Sequence, residues 1–334
     1  MKLRRFIFLL VVAAVLTAGT YFALRSRKHS NLASEIKGSV PVKRVDSLWK
    51  APDINALDHS AENELIRYGH DLIANTSYYL GPKGKVANLT NGMNCQNCHL
   101  DAGTRPWGNN YGGVYATYPL YRDRSGTIET VYKRVSDCIE RSLNGTPPDS
   151  SSREMQALIK YIEWVGKDVP VKTKPLGAGT RELPLLDRPA DPVRGKKVYI
   201  AKCQRCHGVN GEGTRNPVDG PYYIYPPLWG DHSYNTGAGL FRLSRFAGYA
   251  KANMPFDSKS DTALLVDEAW DVAAFVNSQP RPAKPFRQDW PDISKKPIDH
   301  PFGPYTDGFS ETQHKYGPFA PIKKKREEMK KAGK

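Results

Sequence analysis

The sequence predicts a mainly α protein built as two small tandem domains. Three observations predict it. The pentad Cys-x-x-Cys-His occurs twice, 108 residues apart (Cys95 to Cys203), segments of helical period flank each copy, and a proline- and glycine-rich stretch lies between them. With 334 residues, 39% of them apolar and 10% aromatic, the chain is long enough for two modest cores and too apolar to be disordered.

The first element is an apolar run. Phe6–Leu24 is 19 residues without a charge, about 28 Å as a helix, which matches a bilayer core. Lys2, Arg4 and Arg5 precede it, and Arg25, Arg27 and Lys28 follow it. The exit Thr-Tyr-Phe-Ala-Leu-Arg is a poor cleavage site, so residues 1–30 are expected to form an uncleaved anchor rather than a removed signal peptide. In either case the body is exported. The expectation is a periplasmic protein, tethered to the inner membrane where the helix is retained.

The net charge of +15 suggests nucleic acid only until its placement is checked. Residues 1–30 hold six basic and no acidic residues, and residues 321–334 hold seven basic and two acidic. That leaves +4 for residues 31–320, so no basic groove runs through the body and no nucleic-acid partner is expected.

The two pentads carry the chemistry. Cys95, Cys98 and His99 form one; Cys203, Cys206 and His207 form the other. This is the attachment signature of c-type haem: two thiols add across the porphyrin vinyl groups and the adjacent histidine reaches the iron. Composition alone would give about 0.002 such motifs in this chain, which excludes chance. Paired zinc-binding C-x-x-C units lack a histidine after each and lie closer together. A redox dithiol needs a βαβ setting that is missing here. Two covalently bound haem c groups are the expected cofactors.

Each haem domain needs a helix before its motif and another well after it. In residues 45–170, Ala61–Ala74 is the leading helix and Ser151–Val165 the final one. Residues 171–188 read as a linker. In residues 189–282, a helix opening at Asp191-Pro runs into Cys203, and Ser260 or Asp261 caps a last helix carrying Leu264, Leu265, Ala269, Val272 and Phe275 or Val276. Residues 283–334 read as an irregular extension wrapping both domains, with its last dozen residues solvated and mobile.

The sixth iron position separates carriers from catalysts. Met254 lies 47 residues after His207, and Pro255 keeps it off a helix. It is the expected distal ligand of the second haem, with the exposed-looking His232 a fallback. In the first domain, Met155 sits on a helix with Leu158, Ile159 and Ile162 and looks like core. Cys138 lies within the helical segment Thr127–Gly145, whose Ile128, Val131, Val135, Ile139 and Leu143 form an apolar side. A buried structural cysteine is the plain reading. Against it, Arg134 and Ser142 flank Cys138 at four residues on either side, on one helix face, and Arg122 and Arg124 lie just upstream.

At these residues the sequence resembles the dihaem thiosulfate dehydrogenases, a family that includes tetrathionate reductases. The resemblance covers roughly residues 60–322. It rests on Met93-Asn-Cys-Gln-Asn-Cys-His-Leu-Asp-Ala-Gly-Thr, Val135-Ser-Asp-Cys-Ile-Glu-Arg-Ser-Leu-Asn-Gly, Tyr225-Pro-Pro-Leu-Trp-Gly, Tyr249-Ala-Lys-Ala-Asn-Met-Pro and Gln313-His-Lys-Tyr-Gly-Pro-Phe. It implies that Cys138 ligates the first haem opposite His99, and that Arg124 and Arg134 bind the anionic substrate with Ser142 close by. Some members place a lysine before the distal methionine of the second haem; this chain has Asn253 there, so His207/Met254 ligation is expected. The implied activity joins two thiosulfates to tetrathionate, or the reverse, with a soluble or membrane-bound cytochrome c as redox partner. Two other classes compete. A plain dihaem electron carrier would use Met155 as ligand, and a dihaem peroxidase would need a carboxylate such as Glu129 or Glu140 at an open iron position.

Overall fold

The structure, a computed structural model, describes residues 43–216, 222–256, 258 and 263–333. The N-terminal apolar run and the Ser260 and Asp261 caps lie outside these residues. Among the described residues no helix is long and apolar enough to cross a membrane.

Seven helices of eleven or more residues and three two-stranded sheets are found among the described residues. In chain order they are β1 (Lys43–Leu48), α1 (Ala61–Ala74), β2 (Leu120–Arg122), β3 (Thr127–Glu129), α2 (Val131–Ser142), α3 (Arg153–Val165), β4 (Thr173–Leu176), α4 (Pro192–Lys202), β5 (Thr214–Arg215), β6 (Tyr223–Tyr225), α5 (Leu243–Asn253), α6 (Val266–Ser278) and α7 (Phe319–Lys331).

Both halves are built on one scheme, a leading helix crossed by a final helix. Ser60 caps α1 by accepting from the Asn63 amide, and Ser152 caps α3 by accepting from Met155. Asp191 caps α4 through Val193 and Arg194, with Pro192 in the first turn. At each crossing stands a glycine. A Cβ on Gly69 would lie 2.1 Å from the Ala157 carbonyl oxygen, and one on Gly195 would lie 1.9 Å from that of Asp271. Any larger residue would force α1 from α3, or α4 from α6. Around the crossings, Leu72, Ile73, Ala157 and Tyr161 form one core, and Tyr199, Trp270, Ala273 and Val276 form the other. Each large side chain so buried stabilises the fold by roughly 1.5–3 kcal/mol.

Some boundaries depart from expectation. The α2 helix starts at Val131 with Thr130 as its cap, and residues 127–129 instead pair with β2 as an antiparallel hairpin, Arg122 opposite Thr127. Ile128 therefore lies on the surface, 41% exposed, rather than on the apolar side of α2. The α6 helix begins only at Val266, after Leu264 and Leu265. The start of the linker is tied back, because β4 pairs in parallel with β1. Its end is tied forward: Trp270 Nε1 donates to the Pro184 carbonyl, and Arg188 holds Asp271 with two bonds of 2.8 and 2.9 Å.

The end of the C-terminal extension is not a solvated strand of chain. Residues 319–331 form α7, whose Phe319 and Ile322 are buried in the second core and whose Arg326 Nε donates to Asp307 at 2.6 Å. Two apolar residues three apart anchor the helix while Lys323, Lys324 and Lys325 stay exposed, so composition hides it.

Asp299 pins the extension to α5. It accepts from Arg242 Nε at 2.8 Å, and from the Ser244 amide at 3.0 Å and hydroxyl at 2.5 Å. Burial pushes this carboxyl up, but Arg242 and Ser244 outweigh it and hold it below its ordinary value. Because the folded pKa lies below the unfolded one, near about 3.9, the stabilisation is complete at neutral pH and is lost as pH falls through the depressed value. Asp299→Ala leaves Arg242 without its buried partner and is expected to cost about 3 kcal/mol. Thermal unfolding at pH 7 and pH 3 checks both points: the gap between wild type and variant should narrow at the lower pH.

Candidate active site

Each pentad opens onto a cavity. The first, about 340 Å³, is lined by Cys95, Cys98, His99, Tyr118, Arg122, Arg134, Cys138, Ser142, Leu158 and Ile162 among others. The second, about 390 Å³, is lined by Cys203, Cys206, His207, Tyr225, Leu228, Tyr234, Phe246, Met254 and Val276 among others. Asn94 and Cys98 belong to both walls, so the cavities adjoin.

Both histidines are held alike. His99 Nδ1 lies 2.6 Å from the Asn109 carbonyl oxygen and His207 Nδ1 lies 2.9 Å from that of Pro226. Donation from Nδ1 to a carbonyl fixes the ring and leaves Nε2 for the cavity. Asn109 adopts a left-handed backbone (φ 57) to present that carbonyl, and Tyr111 stacks on the His99 ring with centroids 4.7 Å apart. Two thiols and one oriented imidazole on the wall of an apolar cavity are the donor set a c-type haem requires. Unsatisfied buried donors fit it too. Arg281 Nε and Nη1 lack a hydrogen-bond partner, and the guanidinium packs 4.3 Å over Tyr234, on the second cavity's wall. A group bearing carboxylates would satisfy such donors.

In the first cavity, α2 places Cys138, Arg134 and Ser142 on one wall, as their spacing predicts. The three cysteines there differ in electrostatics. Burial raises the Cys95 thiol to about 11 and the Cys98 thiol to about 12. Burial acts on Cys138 as well, but the Arg134 guanidinium and the His99 imidazole outweigh it and bring that thiol down to about 6. Arg134 in turn is raised, chiefly by Cys138. These neighbours favour the thiolate form of Cys138, which lies within interaction range of His99. Met155, its competitor, is fully buried in the core and absent from the cavity wall.

Arg124 takes a different place. It sits in the turn of the β2–β3 hairpin, outside the residues lining the cavity, with its guanidinium 5.9 Å over the Trp290 ring. Burial, then Arg141 and Arg134, lower it to about 10. The arginine that does reach the wall with Arg134 is Arg122, whose Nε lies 3.9 Å from the buried Glu129. Sequence reasoning found Arg122 near Cys138 but gave it no role; the strand pairing that points it inward is too short to leave a pattern. Lys174, from β4, is also on the wall, and no local signal could have found it.

In the second cavity Met254 ends α5 as its C-cap and lies on the wall. Asn253 is turned away, donating to the Trp107 and Tyr249 carbonyls at 3.1 and 2.9 Å. His232 is exposed and not on the wall.

Comparison with known proteins gives the family of each haem domain. Residues 85–171 match the family described as SoxA/TsdA, cytochrome c domain, and residues 192–280 match Cytochrome c. The chain is 34% identical over 240 residues to a thiosulfate dehydrogenase of Stutzerimonas stutzeri, covering 72% of this chain and 75% of the relative. It is 36% identical over 252 residues to one of Thiomonas intermedia, covering 75% and 76%. A solved structure, the thiosulfate dehydrogenase TsdBA of Marichromatium purpuratum in its as-isolated form, is similar with a TM-score of 0.65 at 31% identity. That likeness covers 72% of this chain but only half, 50%, of the solved one.

Proposed function

Because the chain belongs to the dihaem thiosulfate dehydrogenase family, we propose that it oxidises two thiosulfates to tetrathionate at the cavity holding Cys138. The observation that carries this reading is the pairing of Cys138 with Arg134 on the wall of the cavity that also holds His99. The protein carries two covalently bound haem c groups, one per domain. Cys95, Cys98, His99 and Cys138 would hold the first; Cys203, Cys206, His207 and Met254 would hold the second. When bound, the haems accept the two electrons of the reaction and deliver them to a cytochrome c acceptor.

The rest of the chemistry falls to the chain. Thiosulfate is a dianion, and joining two copies brings like charges together. Arg134 and the neighbouring Arg122 and Arg124 offset that repulsion, and their planar forks match sulfonate oxygens. The Cys138 thiolate forms a bond to the terminal sulfur of one thiosulfate as two electrons leave. The terminal sulfur of the second then attacks the bound sulfur and breaks its bond to Sγ, releasing tetrathionate and regenerating the thiolate. Ser142, one turn along α2, adds a hydroxyl beside the reacting sulfur. The domain limits proposed are residues 45–170 for the catalytic unit and 189–282 for the electron-transfer unit. Export to the periplasm follows from c-type haem attachment, with residues 1–30 as the tether.

The competing readings lose their residues. A carrier with Met155 as ligand needs that side chain in the cavity, and a peroxidase needs Glu129 or Glu140 on the wall; none of the three is there. Holoenzyme given thiosulfate and ferricyanide is expected to form one tetrathionate per two thiosulfates consumed. Absence of tetrathionate under these conditions, with peroxide turnover instead, would replace this reading.

Met254 sets the second haem apart. Thioether ligation raises a haem potential, so Met254→Ala is expected to lower the potential of the second haem by on the order of 0.1 V. Redox titration checks this, with the first haem unmoved.

A further inference from the structure

The C-terminal extension packs against the hairpin turn and α2 beside the first cavity. Its segment Asp289-Trp290-Pro291 lies against the β2–β3 turn that carries Arg124. The Trp290 amide donates to the Arg124 carbonyl oxygen at 2.6 Å. The Trp290 ring lies under the Arg124 guanidinium, and a Cβ on Gly126 would meet Pro291 Cγ at 2.5 Å. Asp289 is locked to α2, accepting from Arg141 Nη1 and Nη2 at 2.7 and 2.8 Å.

This clamp leaves two donors unused. Asp289, the acid that acts most on Arg124, has both oxygens taken by Arg141, and the Arg124 guanidinium makes no hydrogen bond or ion pair among the described residues. Trp290 Nε1 is fully buried and has no partner either. Arg141 Nε, also without a hydrogen bond, at least faces Asp137 at 4.0 Å. A buried indole N–H without an acceptor costs about 1–3 kcal/mol. Trp290 further holds a left-handed backbone (φ 62), an unfavourable conformation for a bulky residue. An orphaned buried donor on a left-handed residue, beside an arginine guanidinium, is a donor set that an oxyanion would satisfy.

We propose that Trp290 is a further binding residue of the site: its amide and ring hold Arg124 in place, and its indole N–H joins that guanidinium in binding one oxyanion. The proposal rests on the thiosulfate reading and deepens it. The oxyanion is either the sulfonate of thiosulfate or a carboxylate of the haem in the first cavity, and the two sources separate experimentally.

Trp290→Phe in the holoenzyme keeps the ring and removes the N–H. If the anion is the sulfonate, KM for thiosulfate rises roughly tenfold, the loss of one charge-assisted hydrogen bond, while kcat and both haem potentials stay near wild type. If it is the haem carboxylate, KM stays and the midpoint potential of the first haem shifts while that of the second does not. Gly126→Ala is a second variant that changes no site side chain but parts the turn carrying Arg124 from Pro291; it is expected to move the same readout. Wild-type KM and wild-type first-haem potential in both variants would overturn the inference. Failure of the underlying reading looks different, because the wild-type holoenzyme itself would then form no tetrathionate.

Discussion

Cys138→Ala is expected to keep both haems and lose thiosulfate oxidation by at least about a hundredfold in kcat. Haem retention follows from where the attachment residues are. Cys95, Cys98 and His99 sit on another segment, and α2 is held by residues that do not involve the thiol: the Thr130 cap, Ile139 in the core and the Arg141–Asp289 clamp. The loss of rate follows from what no neighbour can replace. Among the cysteines of this cavity only Cys138 has its thiol lowered, and the other two are taken up by the haem. Alanine leaves the arginines to bind thiosulfate but gives them no sulfur on which to hold it. The variant should therefore keep much of its affinity while kcat falls, a split that a merely unfolded protein would not give.

Arg134→Met is the second large effect. The guanidinium lies on the cavity wall within the field of Cys138, Tyr118, Asp137 and Glu129, and it is the strongest influence drawing the Cys138 thiol down. Removing it takes away the thiolate's counter-charge and one of the forks facing the sulfonates. Truncating one side of a close buried charge pair costs about 2–5 kcal/mol, so kcat/KM for thiosulfate is expected to fall roughly 10² to 10³-fold. Arg134→Lys restores the charge but not the planar fork and should recover part of the loss. Steady-state kinetics of the three proteins, with the visible haem spectrum as a check on loading, measure it. Equal losses in the methionine and lysine variants would mean that fork geometry, not charge, is what Arg134 contributes.

What the sequence made legible follows its periodicities. The α1 limits, the Asp191 cap and the shared face of Arg134, Cys138 and Ser142 are all local, set by spacings within a few turns of helix. Gly69 and Gly195 were legible in principle, since each stands near the middle of its domain's leading helix where glycine costs stability, but only the crossing partner explains it. In the hairpin bearing Arg122 and Arg124, residues 120–124 were read as loop and residues 127–129 as the start of a helix, because three-residue strands carry no pattern of their own. Lys174 and the Asp289–Trp290 clamp come from segments 36 and about 150 residues from Cys138, a separation at which only tertiary contacts decide placement. The tail helix was hidden by its lysines. The net charge of +15 likewise proved a poor guide: the arginines that line the cavity with Cys138 are Arg122 and Arg134.

The central claim is that the first haem is held between His99 and Cys138. Low-temperature electron paramagnetic resonance of the oxidised holoenzyme tests it most directly. The account predicts two low-spin species, one with the narrow g-spread of thiolate ligation that disappears in Cys138→Ala, and one of His/Met type that disappears in Met254→Ala. Two His/Met species in the wild type, both unchanged by Cys138→Ala, would contradict it.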